Sequence, residues 1–234
     1  MPTANTSSHS ARWARRETTE AVEDYVKAIY TLGQRDSPVT INAIAARLGV
    51  SAASASAMVR KLDQRGLAVH PAYGGVGLTD AGEHVALEVL RHHRLLELYL
   101  AEALGMPWDR VHEEAEILEH VLSDELEEII SAKLGHPTID PHGDPIPARD
   151  GKFHEPATDS FADLGAGAQG VFVRVSDSEP AMLRYLSERG ISPGDSFEVV
   201  ERQPFGGPLF VRFGSEVHVL GGDLAAAMRA EVRR

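Results

Sequence analysis

Two imidazoles and two carboxylates lie close together in the stretch from His112 to His120. This stretch contains no Gly or Pro and continues into the good helix formers of residues 122–130, so we expect one continuous helix. At about 100° per residue, four side chains fall within an arc of about 100° and point the same way, namely His112, Glu116, Glu119 and His120. This face is either a solvated acidic stripe or a ligand set for a divalent cation.

Two other segments offer ligands of the same chemical kind. His93 and Glu97 stand four residues apart on a helical pattern, and Asp24 follows Glu23 on another helical pattern near the N-terminus. Taken singly, Asp24 near a helix start, His93 in a core or a locally hydrogen-bonded His112 would have a purely structural role. Taken together, three helices that present only nitrogen and oxygen ligands predict a site for a hard divalent cation.

Composition narrows the protein class. The chain contains no cysteine, which excludes disulfides, thiol catalysis and thiolate metal sites. Its 234 residues are enough for two or more domains. No run of about 18 apolar residues is present, and the polar N-terminus does not resemble a signal peptide. We therefore expect a soluble, cytoplasmic protein that does not associate with a membrane.

The charge is unevenly distributed along the chain. A net charge of −12 at pH 7 would on its own disfavour a nucleic-acid partner, because phosphates attract Lys and Arg. Residues 1–84, however, hold nine Lys or Arg and eight Asp or Glu, a balance of +1, so the remainder carries −13. Only the N-terminal third is therefore suited to approach a polyanion.

That N-terminal third has the pattern of a helix-turn-helix. A first helix is predicted from residue 18 to about 33, a short second helix ends at Gly49, and Ser51 caps a third helix over residues 52–65. Small polar side chains on the outer face of the third helix, followed by a basic one, suit entry into a DNA major groove. The predicted DNA-binding residues are Ser51, Ser54, Ser56 and Arg60.

The segments on either side of this motif extend the prediction. Residues 66–70 and 73–79 have the pattern of a strand, a glycine turn and a second strand, which is the wing of a winged helix. Residues 1–17 are polar and patternless, and we predict a disordered arm there. Residues from about 80 to 104 form a long apolar helix, which favours a dimer interface whose two-fold symmetry would match a palindromic operator.

The C-terminal half changes in composition. Residues 136–158 are Pro-rich and polar and predict a linker at the surface. Beyond the linker, short β patterns predict strands over residues 169–175, 196–202, 209–213 and 216–220. A helix is predicted over residues 179–189, and a terminal helical piece over 222–232. These elements predict a small β-barrel with one inserted helix.

In this order, the winged helix, the acidic helical module and the C-terminal barrel resemble the diphtheria toxin repressor family of metal-dependent transcriptional repressors, which includes iron-dependent and manganese transport regulators. The resemblance is carried by residues 19–30, 93–97, 111–116, 119–123 and 143–147. It implies a mainly α fold with three parts. These are an N-terminal winged helix-turn-helix (18–83), a helical metal-binding and dimerisation domain that includes the Pro-rich linker (84–150), and a C-terminal SH3-like β-barrel (151–234).

The resemblance also implies two groups of metal ligands. The metal-sensing set falls on Asp24, Glu116, Glu119 and His120. An ancillary set falls on His93, Glu97 and His112, and barrel residues complete it in some members. A loose alignment makes Asp177 and Glu179 the candidates for that addition.

Two positions separate the branches of this family. The iron branch has a methionine at the position of Asp24 and a cysteine at the position of Glu116, whereas the manganese branch has carboxylates at both. This chain therefore resembles the manganese branch. It departs from that branch at Lys27, which replaces a glutamate ligand found in some manganese regulators and disfavours a two-metal site of that sort.

Two features of the iron branch do not transfer. Its anion-binding arginine is matched by Arg94, but the serine and asparagine that assist it appear here as Asp140 and Asp144, which would repel an anion. A glutamine that reads bases in the iron branch is matched by Ala57, so the resemblance does not say which side chains read the operator.

Together these observations predict a repressor that senses Mn²⁺, forms a homodimer and binds double-stranded palindromic operators to control metal uptake genes. An Fe²⁺-dependent regulator of iron homeostasis is the alternative within the family, and a DNA-binding protein with an organic effector is another. A metalloenzyme is disfavoured. The segment from His112 to Glu116 resembles the start of a zinc-peptidase helix but lacks its second histidine, and the Glu-x-x-His pairs of di-iron bundles are absent.

Overall fold

The computed structural model describes residues 18–35, 38–71, 74–151 and 156–233. These residues divide into two compact units. The first unit contains residues 18–92, 119–121 and 147–151, and the second contains residues 93–118, 122–146 and 156–233. None of the helices in these ranges is both long and apolar enough to cross a membrane. The predicted N-terminal arm lies outside the described residues.

The first unit contains a winged helix. Its elements are α1 (Glu20–Arg35), α2 (Ile41–Arg47), α3 (Ala52–Gln64), β1 (Ala68–Val69) and β2 (Gly77–Leu78). Thr40 and Ser51 cap α2 and α3 by accepting backbone N–H groups of Ala43 and Ser54. Gly49 takes a positive φ of 66° in the turn between them, as predicted for a glycine that ends a helix.

Apolar side chains at helical spacing hold these three helices together. The fully buried ones are Val22, Val26, Ile44, Ala55, Val59 and Leu62. The two strands of the wing pair in antiparallel register, with Ala68 opposite Leu78. The predicted second wing strand starts at residue 73, which lies outside the described residues, and within the described part of the chain it corresponds to β2. The helix-turn-helix and the wing therefore form where the sequence pattern places them.

A long helix, α4 (Asp80–Leu104), follows the wing with the bounds that we predicted. Its start is fixed because the Thr79 hydroxyl accepts the backbone N–H of Gly82 at 3.1 Å. Val85, Val89 and Leu95 on this helix are fully buried. The prediction of an apolar helix here is confirmed.

The prediction of one continuous helix from His112 onwards is wrong. The structure has α5 (Val111–Leu118), a turn over residues 119–121, and α6 (Asp124–Lys133). The break arises because the Ser123 side chain accepts the backbone N–H of Leu126 and starts a new helix, and three acidic residues occupy its first turn. Glu119 and His120 therefore do not lie on the same helical face as His112.

The second unit contains a six-stranded antiparallel sheet in the order β3-β8-β4-β5-β6-β7. Its elements are β3 (Asp159–Ser160), β4 (Gln169–Val175), α7 (Pro180–Ser187), β5 (Ser196–Arg202), β6 (Leu209–Phe213), β7 (Glu216–Leu220), α8 (Gly222–Ala227) and β8 (Met228–Val232). Four aromatic rings fill its core, those of Phe161, Phe172, Phe197 and Phe213.

Two C-terminal predictions need correction. Residues 222–232 are not one helical piece, because Met228 and Ala230 are buried while Arg229 is partly exposed and Glu231 is exposed. This alternation forms β8 beside β4. The Pro-rich segment is not confined to the surface, because His142 and Ile146 are buried. Gly143 is required there, since a Cβ at this position would lie 1.9 Å from the carbonyl oxygen of Val173.

Candidate metal centres and DNA-binding helix

The predicted DNA-binding residues lie on α3 and, for Ser51, at its N-cap. Ser51 and Ser54 are exposed, with their hydroxyl oxygens 2.9 Å apart, and the guanidinium of the exposed Arg60 donates to the Ser56 hydroxyl at 3.0 Å. The opposite face of α3 is buried through Ala55 and the apolar residues of the core. The helix thus presents small polar groups and the cations of Arg60 and Lys61 outwards, which suits a helix that enters a major groove.

Replacing Arg60 by alanine is expected to weaken binding to any DNA sequence and to lower the salt dependence of binding by about one phosphate contact. The measurement is DNA affinity as a function of salt concentration. Arg110→Ala, which removes the same charge from an exposed position before α5, is the control and should leave the slope unchanged. Equal slopes for Arg60→Ala and the parent protein would show that this side chain does not contact phosphate.

The first candidate metal centre, here called the turn cluster, consists of Asp24, Glu119 and His120. Asp24 lies on α1, and the other two lie in the turn over residues 119–121. The Nε2 atom of His120 lies 3.1 Å from Oδ1 of Asp24 and 3.6 Å from Oε1 of Glu119. The structure therefore brings together three of the four residues predicted for metal sensing.

Neighbouring side chains hold the turn cluster in place, and sequence reasoning did not include them in the site. Nδ1 of His120 donates a hydrogen bond to Oε2 of Glu23 at 2.7 Å, so Nε2 is left to face Asp24. The ammonium of Lys27 donates to Oε1 of Glu119 at 2.7 Å. The adjacency of Glu23 to Asp24 in the sequence was the available signal for the first of these contacts.

The fourth predicted sensing residue, Glu116, lies on α5 in the second unit. Its Oε1 atom is 3.6 Å from Nδ1 of His93 and 3.7 Å from Nε2 of His112. Its assignment to the sensing set remains a prediction. Within the second unit it is a neighbour of the predicted ancillary residues.

The second candidate centre, here called the helix cluster, consists of His93, Glu97, His112 and Asp177. His93 Nε2 lies 3.1 Å from both Glu97 Oε1 and His112 Nδ1. His112 Nδ1 lies 2.9 Å from Asp177 Oδ2. For metal–ligand bonds of about 2.1 Å, neighbouring ligands of one octahedral ion lie about 3.0 Å apart. The observed spacing therefore fits a single cation.

The barrel residues predicted to join the ancillary set have different roles. Asp177, in the segment after β4, belongs to the helix cluster, as the loose alignment indicated. Glu179 is exposed, and its carboxylate accepts the backbone N–H of Ala181 at 3.3 Å as the cap of α7. Among the described residues, Glu179 does not belong to a group of potential metal ligands.

Two residues that the sequence analysis did not assign to metal extend the helix cluster. Asp140, His142 and Glu97 form a buried ligand group, in which Nδ1 of His142 lies 3.8 Å from Oε2 of Glu97. Glu97 thus faces two histidines with one oxygen and a third histidine with the other. A histidine flanked by two acids in the Pro-rich segment was the available signal, but we interpreted that segment as a surface linker.

The protonation states of the side chains around Glu97 depend on one another. Burial lowers the pKa of His112, but hydrogen bonds to Asp177 and Glu97 outweigh it and raise the pKa to about 10. Burial likewise lowers the pKa of His142, and its interaction with Glu97 raises it to about 9. Burial raises the pKa of Asp177, but the hydrogen bond to His112 outweighs this and lowers the pKa to about 2. Without a cation, protons on the imidazoles balance the carboxylates.

One buried atom provides a further test of whether these residues fit a metal. Nδ1 of His142 is buried and has no hydrogen-bond partner among the described residues, while Nε2 of the same ring lies 2.8 Å from the carbonyl oxygen of Trp108. The Nδ1 atom lies 3.8 Å from Oε2 of Glu97, which is beyond hydrogen-bond distance, and a cation bound by both atoms would satisfy it. Imidazole nitrogens and carboxylate oxygens without sulfur fit a hard or borderline divalent cation.

The contacts of Arg94 agree with the expectation that the anion site of the iron branch does not transfer to this chain. Its guanidinium donates to the carbonyl oxygen of Pro145 at 2.5 Å and to Oδ1 of Asp144 at 3.2 Å. Burial, together with the charges of Asp144 and Glu97, raises the pKa of Asp140 well above its usual range. The two aspartates thus occupy the space beside Arg94, and Asp140 also accepts the backbone N–H groups of His142 and Asp144.

Comparison with known protein families agrees with this layout. Residues 17–76 match the N-terminal DNA-binding domain of iron-dependent repressors, and residues 79–148 match their metal-binding and dimerisation domain. Residues 160–232 match the FeoA domain. The Iron-dependent repressor IdeR of Mycobacterium tuberculosis is 31% identical over 227 residues, covering 92% of this chain and 98% of the relative. The chain belongs to the diphtheria toxin repressor family.

This membership confirms the predicted fold class and identifies the chain as a metal-dependent transcriptional repressor rather than an enzyme. The Diphtheria toxin repressor of Corynebacterium diphtheriae is 30% identical and covers 89% of this chain and 88% of its own length. A solved manganese-dependent transcriptional repressor in complex with manganese is 41% identical, with a TM-score of 0.85 over 91% of this chain and all of that one. The manganese regulator SloR is 30% identical, with a TM-score of 0.73, 91% of this chain and 98% of that one being covered. The precise domain boundaries that we predicted stay a prediction.

Proposed function

We propose that this repressor is activated by Mn²⁺ and that the turn cluster is its sensing site. The observation that carries the proposal is the convergence of Asp24, Glu119 and His120, a set of oxygen and nitrogen ligands without sulfur. Hard oxygen ligands suit Mn²⁺, and the absence of cysteine from the chain removes the ligand that favours softer metals. The 41% identity to a manganese-dependent repressor supports the same metal.

The residues of the turn cluster connect α1 to the turn over residues 119–121. Two carboxylates face one another there, and a divalent cation supplies the charge that cancels their repulsion. Glu23 holds the His120 ring so that Nε2 faces Asp24, which prepares the ligand atoms in advance. Binding of the metal ion therefore biases the position of α1, which packs in the winged helix. Metal binding is thereby coupled to DNA affinity.

We assign a second cation position to the helix cluster, with Glu97 at its centre and His142 as an additional ligand. Four of these five residues, His93, Glu97, His112 and His142, come from residues 93–142, and Asp177 comes from the segment after β4. Cation binding there replaces the protons that His112 and His142 carry in its absence. Because it connects these segments, this position is proposed to stabilise the second unit.

The partner is proposed to be a palindromic double-stranded operator bound by a homodimer. The match to a DNA-binding domain and to a dimerisation domain supports this, as do exposed apolar side chains on α5 and α6, including Ile117 and Ile129. An operator-binding repressor works where the DNA is, which places it in the cytoplasm. Light scattering of the full chain should give the mass of a dimer at micromolar concentration.

The deciding experiment is operator affinity measured anaerobically against free Mn²⁺, followed by removal of the metal with a chelator. Binding should rise with Mn²⁺ and be lost with the chelator. Operator affinity that does not depend on metal would contradict the proposal. An Fe²⁺-dependent regulator is the second candidate, favoured by the 31% identity to an iron-dependent repressor, and an Fe²⁺ titration in the same assay separates the two.

A further inference from the structure

We infer that Lys27 is a built-in counter-ion of Glu119 that competes with the activating cation and so sets the metal concentration at which the repressor responds. This inference rests on the proposed function, because it takes the turn cluster as the sensing site. It concerns a side chain that is not a metal ligand but shares an oxygen atom with the site.

The contact is short and buried. Nζ of Lys27 lies 2.7 Å from Oε1 of Glu119, whose side chain is 0% exposed, while that of Lys27 is 12% exposed. The same Oε1 atom is the one nearest the third member of the cluster, at 3.6 Å from Nε2 of His120. An ammonium group and a metal ion therefore require the same oxygen atom.

A cation beside Glu119 is physically necessary when metal is absent. A fully buried carboxylate without a positive partner is strongly unfavourable, and removing one member of a buried pair destabilises a protein. Lys27 meets this need from α1, three residues after Asp24 and hence on the same helical face as that ligand. Lys27 therefore neutralises Glu119 when metal is absent, and a bound metal ion would compete with Lys27 for that carboxylate.

Metal binding must therefore move or repel the ammonium group. Two positive charges in a poorly solvated space repel more strongly than they would in water. The long, flexible stem of lysine allows its ammonium to leave Glu119 without a change in the backbone. The cost of that movement lowers metal affinity, so a neutral residue at this position should bind Mn²⁺ more tightly at the expense of stability without metal.

The test uses the full chain and Mn²⁺ alone, with binding followed by the electron paramagnetic resonance signal of free Mn²⁺ and by calorimetry. Lys27→Met removes the charge and keeps the approximate length, Lys27→Gln removes the charge and retains a hydrogen-bond donor, and Lys27→Arg keeps the charge as a control. The two neutral variants are expected to bind Mn²⁺ at the turn cluster about tenfold more tightly, a typical effect of a residue next to a metal ligand. Lys27→Arg should resemble the parent protein.

Thermal unfolding gives a second readout that does not depend on DNA. The neutral variants should unfold at a lower temperature than the parent without metal and gain more from saturating Mn²⁺. Equal or weaker Mn²⁺ affinity in both neutral variants would overturn the role of Lys27 as a competitor. If Glu119→Gln in the parent leaves the number of bound Mn²⁺ ions unchanged, the turn cluster is not a metal site, and the sensing assignment fails together with this inference.

Discussion

Replacing His120 by alanine is expected to abolish metal activation, lowering operator affinity at saturating Mn²⁺ by about 10- to 100-fold, the usual range of coupling between two sites. The variant removes the Nε2 atom that faces Asp24 at 3.1 Å. It also leaves the carboxylate of Glu23 without the imidazole that lies 2.7 Å away. Two carboxylates alone are left in the turn cluster, and the cation loses its nitrogen ligand.

The measurement is operator affinity against free Mn²⁺, with the metal content of the protein determined in parallel. Glu119→Ala should have the same effect, because it removes the other ligand of the turn. Glu114→Ala, which removes an exposed carboxylate from the neighbouring helix, is the matched control and should respond to Mn²⁺ as the parent does. Normal activation of His120→Ala would mean that the switch lies elsewhere in the chain.

Combining Asp24→Met with Glu116→Cys is expected to change the order in which metals activate the repressor, from Mn²⁺ towards Fe²⁺ and softer ions. For nitrogen and oxygen ligands, affinity rises from Mn²⁺ to Fe²⁺ and on to Cu²⁺ whatever the protein, so selectivity must come from ligand type and coordination number. Several carboxylates suit Mn²⁺, which accepts more ligands than the four that Zn²⁺ prefers. Thioether and thiolate sulfur remove that advantage.

The two single variants are needed to interpret the double one. Asp24 belongs to the turn cluster, whereas Glu116 lies 3.6 Å from His93 and 3.7 Å from His112 within the second unit. A shift caused by Asp24→Met alone would assign metal selectivity to the turn cluster. A change in the order of activating metals caused by Glu116→Cys alone would assign metal selectivity to Glu116. If anaerobic operator titrations with Mn²⁺, Fe²⁺ and Zn²⁺ give an unchanged order in the double variant, neither residue determines selectivity.

Much of the fold follows from local features of the sequence. The caps at Thr40 and Ser51 and the helix from Asp80 to Leu104 were predictable because a helix end needs a hydrogen-bond partner for its free N–H groups and a helix interior needs regular apolar spacing. Short β patterns predicted four of the six strands of the C-terminal sheet, β4 to β7, but neither β3 nor β8. These rules act over a few residues, so a single sequence is enough to apply them.

The metal centres also follow from the sequence in part, because ligand type is a matter of composition. Without cysteine, the only strong ligands are imidazoles and carboxylates, and the pairs at helical spacing identified His93 and Glu97. Helical patterns singled out Asp24, Glu119 and His120, and the resemblance to the family grouped them in one set, which the structure brings together. The kinds of ligand available to a metal were thus predictable before any contact between distant residues was known, whereas the assignment of these residues to metal remains a prediction.

Only the tertiary structure decided how the ligands are grouped. Periodicity placed Glu119 and His120 on one helical face with His112, but α5 ends at Leu118 and the cap at Ser123 starts a new helix. Both side chains therefore lie in the turn, where they contact α1. The participation of His142, the closure of the helix cluster by Asp177 and the competition of Lys27 for Glu119 all join residues that are far apart in the chain. Such contacts depend on how whole elements pack and on which buried charges must be neutralised, and no spacing rule along one chain contains that information.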